Sequence, residues 1–139
     1  MLFKVDFITY EGVYRTIETE KLNIPTSEGR RTILSNHMDI IIPMQIGVIE
    51  TAKNGVLSHY AINNGVLYFK DNVAEVVADS VVDVEEIDID RARKDKQEAE
   101  DSIANARREY EKIVYRNKLE VANNLIQAAE HHYNKTKGN

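Results

Sequence analysis

Between Val66 and Lys137 there is no glycine and no proline, whereas both prolines and every glycine except Gly138 stand before that stretch. Glycine and proline punctuate turns, so the two ends of the chain cannot share one architecture. From Leu2 to about Val84 the residues form short β-branched and aromatic runs between turn signals, which predicts strands. After Val84 the β-branched density falls and Ala, Glu, Lys and Arg take over, which predicts helix.

In the first part, Phe3, Val5 and Phe7 alternate and Glu11-Gly12 follows as a turn. Residues 17–24 read as one strand region, closed by Pro25-Thr26-Ser27-Glu28-Gly29. Residues 40–42 end at Pro43, which suits a strand end or a sheet edge. Asn54-Gly55 supplies the two positive-φ positions of a type I′ hairpin and sets Ile49 opposite Tyr60. Asn64-Gly65 reads as the next turn and Asp71-Asn72 as another reversal. Ala74, Val76, Ala78, Val82 and Val84 share one parity, which predicts a single face packed against a sheet or a neighbouring subunit. Many short, evenly spaced strands point to a sandwich or a barrel.

In the second part, Asp83, Glu85, Glu86, Asp88 and Asp90 gather where a helix amino terminus carries partial positive charge, so helix starts near Asp88. A single helix over residues 90–136 would extend roughly 70 Å, so a reversal is expected within residues 102–108. Before it lies a sparse alanine face, Ala92 and Ala99. After it lies a stripe of Tyr115, Leu119, Ala122, Ile126, Ala129 and Tyr133 at spacings of four and three. Small residues facing that stripe predict two antiparallel helices packed over a small area.

At 139 residues the chain has room for one cored domain and an appendage. Its 23 acidic and 18 basic residues leave a net charge of −5, without the basic excess that nucleic-acid binding draws on. With no cysteine there is no disulfide, thiolate nucleophile or cysteine zinc site. The first residues read as a strand rather than a secretion signal, and no window reaches the roughly twenty apolar residues of a membrane span. The expectation is a protein without direct membrane insertion.

No phosphate loop, dinucleotide fingerprint or nucleophile elbow occurs, and no acid–base pair suggests catalysis. His131-His132 suits a solvated helix end better than a metal site, and His59 suits a surface or cross-strand position. His37 shares a long expected loop with Gly29, Arg30 and Arg31, either an ordinary connection or a contact loop. Asp88 and Arg91, three apart, serve either as an N-cap with a surface ion pair or as a joint grip on a polar ligand. Arg108, Lys112 and Arg116 make a basic ridge at i, i+4 and i+8. It is either a solvated face interleaved with Glu109, Glu111 and Glu120, or a dock for an acidic surface.

Taken together, these segments resemble the epsilon subunit of bacterial rotary, proton-translocating ATP synthases over essentially the whole chain. Tyr10-Glu11-Gly12 is similar to that family's first turn. Pro25-Thr26, Gly29, Ile33-Leu34 and His37 fall at the spacing of its Gly-Glu-x-Gly-Ile-Leu-Pro-x-His loop. Asn64-Gly65 stands where the family has Gly-Gly, and Ile87-Asp88-Ile89-Asp90-Arg91-Ala92 matches its Ile/Leu-Asp-x-x-Arg-Ala motif. Arg30 replaces the family's acidic loop residue, Thr32 its second loop glycine and Ser35 its proline, so the loop's position carries over and its charge does not.

The resemblance implies an α+β fold, an N-terminal antiparallel β-sandwich over residues 1–86 and a C-terminal antiparallel two-helix hairpin over residues 87–139. It implies a non-catalytic rotor subunit of the central stalk, coupling the gamma subunit to the c-ring. Gly29, Arg30, Arg31 and His37 would form the c-ring contact. Extended, the hairpin would reach the alpha and beta subunits and inhibit ATP hydrolysis, with Arg108, Lys112 and Arg116 meeting beta. The place implied is the cytoplasmic face of the bacterial cell membrane, as a peripheral protein. No cofactor is required. In some members the junction motif binds regulatory ATP, and Ile87, Asp88, Arg91 and Ala92 are the matching residues. Glu98 in the first helix and the lack of arginine after Arg116 imply weak nucleotide binding or none. A reading of a different class is a free-standing adaptor, whose sandwich binds a peptide or glycan and whose helical tail oligomerises.

Overall fold

Alternation of apolar and polar residues makes Phe3–Thr9 the first strand, β1, with Phe3, Val5 and Phe7 buried and Lys4 exposed. Seven strands follow: β2 (Gly12–Thr19), β3 (Lys21–Thr26), β4 (Gly29–Leu34), β5 (Ile40–Met44), β6 (Gly47–Lys53), β7 (Val56–Lys70) and β8 (Val73–Asp83). The computed structural model describes residues 1–137, with side chains as far as Asn134. The strands run in the order β2-β1-β8-β7-β6-β3-β4, with β5 paired to β7. All pairings are antiparallel except β1 with β8. That parallel pair is possible because the chain makes a long excursion between its two members.

The sheet becomes a sandwich because β7 changes partners along its length. Residues 56–62 pair with β6 and residues 65–69 with β5, while β8 accompanies β7 across the change, from Tyr60 to Lys70. The buried positions change parity at the crossing: Tyr60 and Ile62 before it, Leu67 and Phe69 after it. On β8, buried Val76 and Ala78 give way to Val81. The β7–β8 register does not shift, so both strands turn over together. Parity alone predicts Val82 on the buried face, yet it is half-buried and Val81 takes its place.

Asn64-Gly65 lies at this crossing, inside β7, and not in the expected turn. Asn64 has a φ of 23°, but Gly65 is not in the positive-φ region. A Cβ on Gly65 would lie 2.3 Å from the Val77 carbonyl oxygen, so glycine stands there to admit the backbone of β8. Asn54-Gly55, by contrast, forms the expected hairpin with φ of 52° and 77°, and Ile49 does face Tyr60.

The strand expected over residues 17–24 is two strands in opposite layers. At the end of the first, Thr19 is fully buried, its hydroxyl 2.6 Å from the Lys21 carbonyl oxygen and 3.0 Å from that of Ala52, while accepting the Ala52 N–H at 3.1 Å. This polar anchor makes the corner. The turn expected at residues 25–29 is shorter than predicted, because Pro25 and Thr26 finish β3 and β4 begins at Gly29. In the core, Phe3 meets Phe69 edge to face at 5.5 Å and Phe7 meets Tyr60 at 4.5 Å.

Close contacts divide the chain into Met1–Asp83 and Val84–Asn139, slightly ahead of the expected 86/87 boundary. The second unit opens with a 3₁₀ turn, Val84–Glu86, followed by α1 (Ile89–Asn105) and α2 (Glu109–Lys137); residues 138 and 139 lie outside the described residues. Asp88 caps α1: its carboxylate accepts the Arg91 N–H and its carbonyl the Ala92 N–H, both at 3.0 Å. The reversal at residues 106–108 falls within the predicted window. It needs no glycine, because Ala106 is extended and the Asn105 side-chain amide donates to the Asp101 carbonyl at 3.0 Å. Ala92 and Ala99 are buried, as are Ala122 and Ala128 on α2; Leu119, Ile126 and Ala129 are half-buried and Tyr133 is exposed.

Candidate functional site

The expected contact loop is largely a strand. Gly29, Arg30 and Arg31 belong to β4, in register with β3 from Lys21↔Leu34 to Thr26↔Gly29, and fully buried Ile33 holds that strand on the core. Only His37 lies in the connection that follows. The Arg30 guanidinium folds along the sheet and donates to the side chain and carbonyl of Asn23 and to the carbonyl of Val48. His37 is half-buried, its Nδ1–H donating to the Met38 carbonyl at 2.7 Å and its ring 6.0 Å from that of Phe69. Arg31 is exposed.

A second surface was not foreseen from sequence. Register carries Pro43 to Val66, Val66 to Val77, Val77 to Ile8 and Ile8 to Val13, a continuous apolar row across five strands. The row lies on the outer face, since its inner neighbours Ile42, Leu67, Val76 and Phe7 are buried. Val13 is 63% exposed, and Ile41 and Tyr68, paired in the next row, are exposed too. Each residue alone is an ordinary surface hydrophobe. The signal open to a reader of sequence was apolar residues at the outward parity of several strands.

Two polar clusters lie in the sandwich. Glu50 stands 2.9 Å from Lys21 Nζ and 2.9 Å from His59 Nε2, and hydrogen bonds from Lys21 and then His59 hold its carboxyl below the usual glutamate range. His59 is thus the cross-strand partner of Glu50. Tyr60 is pushed above the usual tyrosine range, by burial first, against an opposing hydrogen bond from Arg15. Among the described residues no three His, Cys, Asp or Glu side chains converge in a way that could hold a metal ion.

In the helical unit, Asp88 and Arg91 do not join their side chains. The Asp88 carboxylate is the cap, and the Arg91 guanidinium, 74% exposed, turns to Asp95 at 3.5 Å. Ile87 and Ile89 line a groove of about 790 Å³ with Val84, Ala129 and Tyr133, bordered by Arg93–Glu130 at 3.4 Å and Glu85–His132 at 4.0 Å. Ala92 is buried and serves helix packing. The basic ridge is only partly helical. Arg108 precedes α2 and its carbonyl accepts the Lys112 N–H at 3.2 Å, Lys112 pairs with Glu109 at 3.5 Å, and Arg116 is exposed.

Residues 2–84 match the family model described as "ATP synthase, Delta/Epsilon chain, beta-sandwich domain". A curated relative, the ATP synthase epsilon chain of Lactobacillus delbrueckii subsp. bulgaricus, is 30% identical over 114 residues, covering 79% of this chain and 78% of its own. That of Lactobacillus helveticus is likewise 30% identical over 114 residues, with the same coverage. Among solved structures, a chain of the Euglena gracilis mitochondrial ATP synthase (OSCP/F1/c-ring) superposes with a TM-score of 0.73 at 22% identity, covering 89% of this chain and 79% of that one. A chain of the Tetrahymena thermophila mitochondrial ATP synthase central stalk/c-ring gives a TM-score of 0.64 at 14% identity, covering 91% and 95%. These two likenesses show the fold.

Proposed function

This chain belongs to the ATP synthase epsilon-chain family, and on that premise we propose that it is a non-catalytic rotor subunit which couples gamma to the c-ring. One observation carries the reading: the outer apolar row from Pro43 to Val13. A row continuous over five strands is costly to leave in water and suits a permanent protein partner. Gamma is the partner assigned to it, and the exposed Arg31 edge of β4 is assigned to the polar loops of the c-ring. The hairpin acts as a conditional brake: extended, it reaches alpha and beta and opposes ATP hydrolysis. Its alanine-lined helix interface supports this role, because a small buried area makes opening inexpensive.

ATP is not required in this reading. What supports this is that the Asp88 carboxylate is engaged as the cap and the Arg91 guanidinium turns to Asp95. The working place is the cytoplasmic face of the bacterial cell membrane, reached through partners. No helix among the described residues is long and apolar enough to cross a membrane.

Co-expression with gamma tests the reading. Wild type should co-purify with gamma, and Val77→Glu, which puts a charge in the middle of the outer row, should abolish recovery while circular dichroism stays unchanged. Undiminished recovery of gamma with folded Val77→Glu would overturn the assignment of that face.

A further inference from the structure

At its amino-terminal end α2 presents a second apolar strip that stands largely open: Tyr110, over whose ring the Arg108 guanidinium lies at 6.0 Å, is 59% exposed, Ile113 63% and Val114 48%. With exposed Asn117 these residues fall within about 100° of helix circumference. The strip is bordered on both sides by charge, and the order of charge is the same on each border. Glu109 precedes Arg116 on one side, and Glu111 precedes Lys118 on the other.

A uniformly acidic partner would satisfy Arg116 and Lys118 but would set like charge against Glu109 and Glu111. A helix with the reverse order of charge satisfies all four, and an antiparallel second copy of this same helix has that order. We propose that free copies of this subunit pair through the first turns of α2, antiparallel about a twofold axis between Ile113 and Val114. Ile113 of one copy then packs on Val114 of the other, and Tyr110 lies beside Asn117. Each Glu109 meets the other copy's Arg116, and each Glu111 the other copy's Lys118, so the interface is isologous.

The contact is short, well below the area of a standard stable interface, so the dimer is reversible and forms at high concentration. Its consequence is protective: the strip is masked while the subunit is free and exposed when the copies separate. This pairing is independent of the rotor assignment.

Sedimentation equilibrium of the full chain, from about 0.01 to 1 mM, tests it, since weak association becomes visible only near its dissociation constant. The expected result is a monomer–dimer equilibrium. Ile113→Glu should weaken it by roughly tenfold or more, and Arg116→Glu alone should also weaken it. The double variant Glu109→Arg/Arg116→Glu should restore it, because exchanging the charges leaves each intermolecular pair opposite in sign. These positions are exposed, so helicity should be unchanged. A monomer at every concentration, a dimer indifferent to Ile113→Glu, or a double variant no better than Arg116→Glu would each overturn the proposal.

Discussion

The Arg15 guanidinium lies 2.7 Å from the Asp83 carboxylate, joining β2 of one layer to the last residue of β8 in the other. The same guanidinium stands over the rings of Tyr14 and Tyr60, at 5.2 and 5.7 Å, and the Tyr14 hydroxyl accepts the Asp83 N–H at 3.1 Å. The cluster closes one end of the sandwich and fixes where β8 ends.

Removing that guanidinium should therefore loosen the sandwich. Arg15→Ala is expected to cost about 1–3 kcal/mol, the usual loss when a partly buried charged hydrogen bond is deleted. Urea denaturation gives the value. Arg15 also draws the Tyr60 hydroxyl downward in pKa against its burial. In the variant Tyr60 should titrate at still higher pH, which NMR of the tyrosine ring resonances reads directly. An unchanged Tyr60 titration would show that the Arg15 contact does not act on it.

Glu50 makes a different kind of prediction. Its carboxyl is held below the ordinary range by Lys21 and His59, so the folded state favours the ionised form. A lowered folded-state pKa adds stability that is complete above the unfolded pKa, about 4.3 for glutamate, and is lost as pH falls through the folded value. Stability should fall with acidification in that window, and Glu50→Gln should flatten the fall. Midpoints of urea denaturation at a series of acidic pH values measure it; equal slopes for variant and wild type would exclude Glu50 as the source.

Local chemistry was legible in the sequence where one short segment decides the outcome. Asn54-Gly55 forms its hairpin, Asp88 caps α1, and the helix reversal lies in its window because helix length demanded it. Features set by distant partners were hidden. Gly65 looks like a turn residue, yet it is there because the backbone of β8 passes too close for any Cβ. Residues 29–34 carry two arginines and a threonine and read as loop, yet pairing with β3 and the burial of Ile33 make them a strand. The outer apolar row exists only once register has aligned five strands. No segment contains more than one of its residues.

The junction motif separates its two polar residues by role. Asp88→Ala should remove the α1 cap and cost about 1 kcal/mol of helix stability, seen as earlier loss of helical circular dichroism on heating. Arg91→Ala removes only an exposed i,i+4 pair with Asp95 and should cost about 0.5 kcal/mol or less. Equal effects of the two substitutions would mean that their side chains act together, contrary to the geometry.

The two arginines of β4 separate stability from docking. The Arg30 guanidinium bridges Asn23 and the Val48 carbonyl, so Arg30→Ala removes hydrogen bonds that tie β4 to β3 and β6, at a cost of about 1–2 kcal/mol. Arg31, exposed on the same strand, should change stability by less than about 0.5 kcal/mol when replaced by alanine. If the β4 edge rests on the c-ring, the order reverses for association: Arg31→Ala should weaken binding to a purified c-ring even though the sandwich melts normally. Thermal denaturation together with c-ring pull-down reads both. A normal pull-down for Arg31→Ala would move the contact off this edge, because no other side chain of β4 offers a charge to the ring without first giving up its place in the sheet.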